Sequence, residues 1–346
     1  MSASSWSLSL ENLKRKSDLT FDASRAAMEE ILSGSRGSDE IAEFLTLHTS
    51  KGGCATEVAG FVDAMYAHAA PIKVDVRAVD TVGTGGDGFH TINISTASAI
   101  VAAASGAKVV KHGNRAATSQ SGAADVLEAL GIKIDLDGDQ VAKLVSEIGI
   151  GFCFAPMFHS AMRHAASARK SLGFPTIFNI LGPLSNPAKP DAYAIGVAKA
   201  EMFPIVAQVL CDRGADALVF RGRDGLDEIS LSQPTDVYVI GDHHARLVEI
   251  DPERWGIPRN PIESLRGGSA DVNAQLLREI LEGKTGAMRD VVLLNAAAAV
   301  IAYEGQALDI DIEELFIHAL TKVSHAIDSG EATNLLARWA QRSHQV

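Results

Sequence analysis

AVDTVGTGGDGFHTINISTASAIVAAASGAKVVKHG, residues 78–113, reads as strand, glycine loop, helix and second strand. AVDTVG and AKVVKHG are short β-branched runs that end on glycine, and the alanine-rich TASAIVAAASG between them is a helical stretch. The alternation continues outward. SGAADVLEALG is again helical, and IGIGFCFAP, AYAIGV and ALVFRG read as further buried strands. Repeated strand–helix alternation predicts a mostly parallel sheet with helices around it. TDVYVIG and HHARLVEI, parted by a polar GDH, predict a late antiparallel pair.

On the N-terminal side, residues 9–70 carry apolar residues every three or four positions, the mark of amphipathic helices. SLENLKRK is one short piece. LTFDASRAAMEEILSG closes on Gly34 as a C-cap. SDEIAEFLTLHTSKGG opens with Ser38 or Asp39 as cap, and ATEVAGFVDAMYAHA with Thr56. Pro71 marks the change of pattern. Residues 271–283, 286–304 and 311–344 return to helix, and MFHSAMRHAASARKSLG (157–173) reads as one more, followed by TIFNILGPLSNP. The expected fold is α/β. A small all-helical N-terminal domain, residues 1–72, is completed by helices within about 157–188. A large α/β domain, 73–156 and 189–346, holds the mostly parallel central sheet.

At 346 residues and 47% hydrophobic content, the chain builds a sizeable core. Its net charge of −12 gives it no general attraction for nucleic acid. Cys54, Cys153 and Cys211 form no close pair, which suits a reducing cytoplasm better than a disulfide framework. The opening MSASSWS lacks the layout of a secretory signal, and no apolar run is long enough to span a bilayer. A cytoplasmic protein with no membrane partner is expected.

The loop DTVGTGGDGFHTINIST contains a formal G-x-G-x-x-G at Gly83, Gly85 and Gly88. A dinucleotide site also needs an acidic residue about 20 positions on, where Lys108 stands, and a helix that starts at once. Neither condition is met, and no G-K-[ST] follows to make a Walker loop. The N–H groups of Gly85, Gly86, Asp87 and Gly88 instead suit a concave nest for a pyrophosphate. Asn93, Ser95 and Thr96 add donors at a helix start, where the dipole favours an anion. Ser95 equally suits Mg²⁺, and Asp87 can accept from sugar hydroxyls or from its own loop.

The next strand end delivers Lys111, His112, Asn114 and Arg115 to a loop edge, with Ser119 and Ser121 before a helix. In a parallel sheet, ligands bind beyond such ends. FRGRDGLDEISL (220–231) supplies the adjacent carboxylates Asp227 and Glu228. Mg²⁺ prefers few carboxylates together with substrate phosphates. His159 and Arg163 share a face of the 157–173 helix, and Arg169 suits a bidentate fork on a carboxylate. From the residues alone, a solvated helix face is the simpler reading of that segment. The histidine spacing there is not a zinc motif.

GTGGD at Gly83 to Asp87, N-I-S-T at Asn93 to Thr96, KHGNR at Lys111 to Arg115 and DGLDE at Asp224 to Glu228 together resemble the signatures of anthranilate phosphoribosyltransferases of tryptophan biosynthesis. FAPMFHSAMRHAASAR and FNILGPLSNP resemble that family's anthranilate-side helices. The resemblance runs from about residue 9 to near the C-terminus. It implies that Gly83, Gly85, Gly86, Asp87, Thr91, Asn93, Ser95, Thr96, Lys111 and Ser119 meet phosphoribosyl pyrophosphate. It implies Mg²⁺ on Ser95, Asp227 and Glu228. Anthranilate would lie along Gly83, His112, Asn114, His159, Arg169, Gly182 and Pro183. It further implies a homodimer formed through the helical domain. The chain departs from the frequent family pattern at Pro175, where Arg is often found.

The implied reaction gives N-(5-phosphoribosyl)anthranilate and pyrophosphate, the second step of tryptophan biosynthesis from chorismate. No general base is nominated, because the amine proton is acidified as the C–N bond forms. Two rivals share the scaffold. A pyrimidine nucleoside phosphorylase would need Lys-His-Ser-like and S-G-R-x-x-x-H-T runs, which are not in the sequence. A non-catalytic nucleic-acid binder would need a basic face, against the net charge.

Overall fold

A computed structural model describes residues 5–116, 120–305, 308 and 310–346. Four helices come first: α1 (Ser5–Lys14), α2 (Phe21–Leu32), α3 (Ser38–Lys51) and α4 (Ala55–Ala67). Two of their starts differ from expectation. The cap of α3 is Gly37, and that of α4 is Cys54. The cause is the same in both. A glutamate three residues on accepts the cap's backbone N–H, Glu40 from Gly37 at 2.9 Å and Glu57 from Cys54 at 3.1 Å, which draws Ser38 and Thr56 inside the helix.

Glu57 does more than close a turn. It is fully buried and also accepts from the Leu19 N–H at 2.8 Å and from Lys51 Nζ at 2.9 Å, with His48 Nε2 at 3.3 Å. Burial alone would raise its pKa, but His48, the Leu19 N–H and Lys51 outweigh burial and bring it from 4.5 down to about 2. A depressed carboxyl stabilises the fold fully above its unfolded pKa and loses that contribution as pH falls towards the folded one. Glu57→Gln is therefore expected to cost about 3 kcal/mol at pH 7. The gap to wild type should close as pH drops from 4.5 to about 2 in a urea-unfolding series. A gap that stays constant with pH would contradict this account.

The α/β part begins with β1 (Val79–Gly83), α5 (Ile94–Ala104), β2 (Val109–Gly113), α6 (Ala123–Ala129), α7 (Gly138–Ile148) and β3 (Ile150–Phe154). The chain then passes through α8 (Ala155–Phe158), α9 (Arg163–Leu172) and α10 (Phe178–Leu184) before returning to β4 (Ala192–Gly196), α11 (Phe203–Asp212) and β5 (Asp216–Gly222). β6 (Thr235–Gly241) and β7 (His244–Ile250) form the antiparallel pair. Helices α12 (Ala270–Leu281), α13 (Ala287–Glu304), α14 (Ile312–Asp328) and α15 (Glu331–Ser343) close the fold. The 311–344 segment is thus two helices, parted at Gly330 with φ 82°.

The single sheet has the order β3-β2-β1-β4-β5-β6-β7, parallel from β3 to β5. Chain order reverses between β1 and β4, so the carboxyl ends of these two strands flank the switch-point crevice where such sheets bind ligands. Gly83 and Gly196 stand opposite each other at that edge.

Two apolar cores fill the two faces. One packs α5, α13, α14 and α15 under the sheet, through residues such as Ile100, Leu294, Phe316 and Trp339. The other joins α1–α4, α9 and α10 to Tyr193, Ile195 and α11, with Trp6, Phe44 and Phe61 among its rings. The 157–173 segment is not one helix. It breaks at His159 (φ −115°, ψ 50°), whose Nε2 meets the Ser185 carbonyl at 2.9 Å. His159 and Arg163 therefore do not share the face of a continuous helix.

Candidate active site

Bare Cα atoms at the switch point create the space for the acidic loop. A Cβ on Gly196 would collide with the Asp227 carbonyl oxygen, and one on Gly83 with the Asp227 carboxylate. The loop carrying Asp227 is drawn onto these two strand ends. Asp224 holds it from within, accepting from the Leu226 N–H at 3.0 Å, from Ser230 Oγ at 2.5 Å and from Ser232 Oγ. On the far side, Asp227 Oδ2 accepts the Gly85 N–H at 2.6 Å.

The glycine loop takes the conformation its composition requires. Gly85, Gly86 and Gly88 have φ of 69°, 83° and 80°, in the left-handed region that other residues avoid. Asp87 folds back onto its own loop, its Oδ1 accepting the Phe89 N–H at 3.1 Å. Thr91 bridges to Arg266. The Asn93 amide is taken at both ends, donating to the Ser121 carbonyl at 3.1 Å and accepting from Asn273 Nδ2 at 2.8 Å. At the start of α5, Ser95 Oγ accepts from Lys111 Nζ at 3.3 Å, and buried Thr96 Oγ1 has no hydrogen-bond partner among the described residues.

Lys111 is not at a loop edge. It is buried inside β2, its Nζ donating to the Thr81 carbonyl at 2.6 Å. Burial lowers its pKa, against the pull of Asp80 and Glu228. Asp80, also buried, accepts from the His112 N–H at 3.1 Å and Asn186 Nδ2 at 2.9 Å. Burial raises it to about 6 despite these bonds and Lys111.

Asp227 and Glu228 are both buried, 8% and 7% exposed. Burial first, then the neighbouring Asp87, pushes Asp227 up to about 8, and burial and then Asp227 push Glu228 well above its ordinary value. Three carboxylates share this corner, with Lys111 the cation that acts on Glu228. Crowded oxygen donors with excess negative charge fit a hard divalent cation such as Mg²⁺. Gly83→Ala, which displaces the Asp227 carboxylate, is expected to weaken Mg²⁺ binding by ~10-fold or more. Titration calorimetry checks it, and unaltered affinity would remove Asp227 from the metal set.

A cleft of about 710 Å³ opens on the other side of Gly83 and Thr84. His112, Asn114, His159, Arg163, Arg169, Gly182 and Pro183 line it. Period-two alternation along β2 explains the split between neighbours. Lys111 turns to Ser95, while His112 turns to α10, its Nδ1 bonding the Gly182 carbonyl at 3.0 Å. Burial lowers His112 to about 3, so it is neutral and its Nε2 is a bare acceptor without a partner among the described residues. Its ring lies 5.3 Å from that of His159, itself 5% exposed and lowered by burial.

Arg169 is half-buried, and burial lowers its pKa. It lies over the Phe178 ring at 5.2 Å and has no carboxylate partner among the described residues. Arg169 and His159 are thus drawn off the solvated face, while Arg163 and Lys170 of the same segment stay exposed. Arg115, by contrast, is spent within the protein on Asp125 at 3.0 Å and Glu128 at 2.5 Å. Pro175 does not border this cleft. It lines a smaller cavity of about 120 Å³ behind Gly85 and Gly86. Ser119 lies outside the described residues. Sequence reading missed Asp80, Asp224 and Asn186, although an aspartate inside the valine strand AVDTVG is a visible signal.

A helical bundle seated on an α/β sheet, with a glycine loop facing paired acids at the switch point, is the arrangement that the family models place among glycosyl transferases. Residues 75–333 match the family model described as glycosyl transferase family, a/b domain, and residues 9–69 match glycosyl transferase family, helical bundle domain. The anthranilate phosphoribosyltransferase of Rhodococcus jostii (strain RHA1) is 49% identical over 339 residues, covering 98% of this chain and 93% of that protein. The crystal structure of the enzyme of that name from Thermus thermophilus superposes with a TM-score of 0.90 at 37% identity, over 97% of this chain and 99% of that one. The Saccharomyces cerevisiae enzyme in complex with PRPP and Mg gives 0.89 at 27% identity, over 100% and 99%. The chain belongs to the anthranilate phosphoribosyltransferase family.

Proposed function

We propose that this chain transfers the phosphoribosyl group of phosphoribosyl pyrophosphate to the amine of anthranilate, releasing pyrophosphate, as the second step of tryptophan biosynthesis from chorismate. One observation carries the assignment of sites. Gly83 and Thr84 separate a corner rich in carboxylates from a cleft whose Arg169 has no anionic partner among the described residues. The first suits a metal–pyrophosphate group and the second an aromatic carboxylate.

Asp227 and Glu228, with Ser95, would hold Mg²⁺, which when bound offsets the negative charge of the leaving pyrophosphate. Gly86, Asp87 and Gly88 offer backbone N–H groups to the same phosphates. Thr96 Oγ1, buried and without a partner among the described residues, suits a phosphate oxygen. As the C1–O bond breaks, positive charge develops on the ribose and the electron pair leaves with pyrophosphate. The anthranilate nitrogen then bonds to C1 and releases its proton. Arg169 would anchor the carboxylate, and the neutral His112 Nε2 can accept from the amine. The cleft acts by holding both substrates in line.

The helical unit, residues 1–72 completed by helices within about 157–188, is proposed to pair two chains in a homodimer. Exposed Leu8 and Phe21 lie on it. A cytoplasmic location is proposed on the same footing. Among the described residues, no helix is long and apolar enough to cross a membrane. Quantifying pyrophosphate against anthranilate consumed tests the reaction, with one mole released per mole consumed expected. Phosphorolysis of thymidine without any such transfer would favour the nucleoside phosphorylase reading instead.

A further inference from the structure

Helix α13 is buried without a break from Val291 to Ala302, in the run VVLLNAAAAVIA. Asn295 is the one polar side chain in that run, and none of it is exposed. A buried primary amide costs stability unless its donors and acceptor are matched. Asn295 meets this condition in a specific way. Its Oδ1 accepts the Ile229 N–H at 2.9 Å, while its Nδ2 donates to the Ile229 carbonyl at 3.3 Å and to the Val291 carbonyl of its own helix at 2.8 Å. Both backbone groups of a single residue are thus gripped by one amide fork. A primary amide carries its acceptor and its two donors on separate, coplanar atoms, which lets it take the N–H and the carbonyl of one residue together.

The residue so gripped directly follows Glu228. On the other side of the acidic pair, Asp227 rests on the bare Cα of Gly196 and takes the Gly85 N–H. Two adjacent buried carboxylates repel each other and favour turning out to water. A loop pinned at one end only would let them do so. We propose that Asn295 is a positioning residue that, by holding Ile229, keeps Asp227 and Glu228 in place for a divalent cation before the cation arrives. This proposal rests on the metal role given above to the acidic pair.

Outer groups that orient metal ligands change affinity by about 10–100-fold when removed. Asn295→Ala and Asn295→Ser are expected to raise the Kd for Mg²⁺, measured by titration calorimetry with phosphoribosyl pyrophosphate present, by ~10-fold or more. The KM for anthranilate should be unchanged. Ser98→Ala is the control. Ser98 Oγ donates to the Val292 carbonyl of the same helix at 3.1 Å and, among the described residues, makes no hydrogen bond to the acidic loop. It should lower Tm and leave Mg²⁺ affinity alone. Wild-type Mg²⁺ affinity in the Asn295 variants, or an equal loss in Ser98→Ala, would overturn the positioning role.

Hydrogen exchange on the wild-type protein provides a second reading that needs no variant to fold. The Ile229 amide should be protected before Mg²⁺ is added. Protection that appears only with Mg²⁺ would also overturn the proposal. If Mg²⁺ binds no more weakly to Asp227→Asn with Glu228→Gln than to wild type, the metal assignment itself fails, separately from Asn295.

Discussion

Asp227→Asn combined with Glu228→Gln is expected to lower kcat by ~10³-fold or more while leaving the ligand-free protein at least as stable as wild type at pH 7. The two effects have one cause. Both carboxyls are buried beside each other and beside Asp87, and burial is the larger reason that Asp227 sits near 8 rather than at its ordinary 3.8. A carboxyl whose folded pKa is raised destabilises the fold increasingly as pH climbs through its unfolded value towards the folded one. The neutral isosteres remove that burden, so the variant's advantage in Tm should be absent below pH 3.8 and grow towards pH 8. The same substitution removes the anionic oxygens that hold Mg²⁺ against the leaving group, which is where transition-state stabilisation is concentrated. Unchanged turnover would sink the metal assignment. A large loss of Tm at pH 7 would show that these groups serve the fold instead.

Arg169→Ala should raise the KM for anthranilate by ~30-fold, because a hydrogen bond to a charged group contributes about 2 kcal/mol and each 1.4 kcal/mol is tenfold in affinity. The guanidinium meets no carboxylate of the protein among the described residues, so no internal partner softens the loss. Its plane is steadied over Phe178, and a planar fork matches a planar carboxylate. Arg169→Lys retains the charge without the fork and should fall between the two. The KM for phosphoribosyl pyrophosphate should stay as it is. An unaltered KM for anthranilate in Arg169→Ala would refute the role.

Five of the seven strands, β1, β2, β4, β5 and β6, were readable as short apolar runs ending on glycine, and helices alternate with the parallel ones. The acidic pair and the glycine loop could be placed together because parallel strands deliver their ends to one edge. Tertiary partners hid the rest. Nothing in the helical period of 157–173 reveals that the Ser185 carbonyl holds His159 out of the helix. Arg115 reads as a free cation until Asp125 and Glu128 fold against it. Lys111 and His112 are neighbours that strand alternation sends to opposite faces, and because both faces of β2 are buried they meet Ser95 and the Gly182 carbonyl, partners the sequence does not point to. Asn295 was visible as a lone amide in an apolar helix, but its partner, the backbone of Ile229, has no side-chain signature.

Anthranilate fluorescence followed with purified protein tests the central claim most directly. The signal should decay only when phosphoribosyl pyrophosphate and Mg²⁺ are both present, and should stop on chelation. Decay without phosphoribosyl pyrophosphate, decay that survives removal of Mg²⁺, or no decay with all three together would contradict the account.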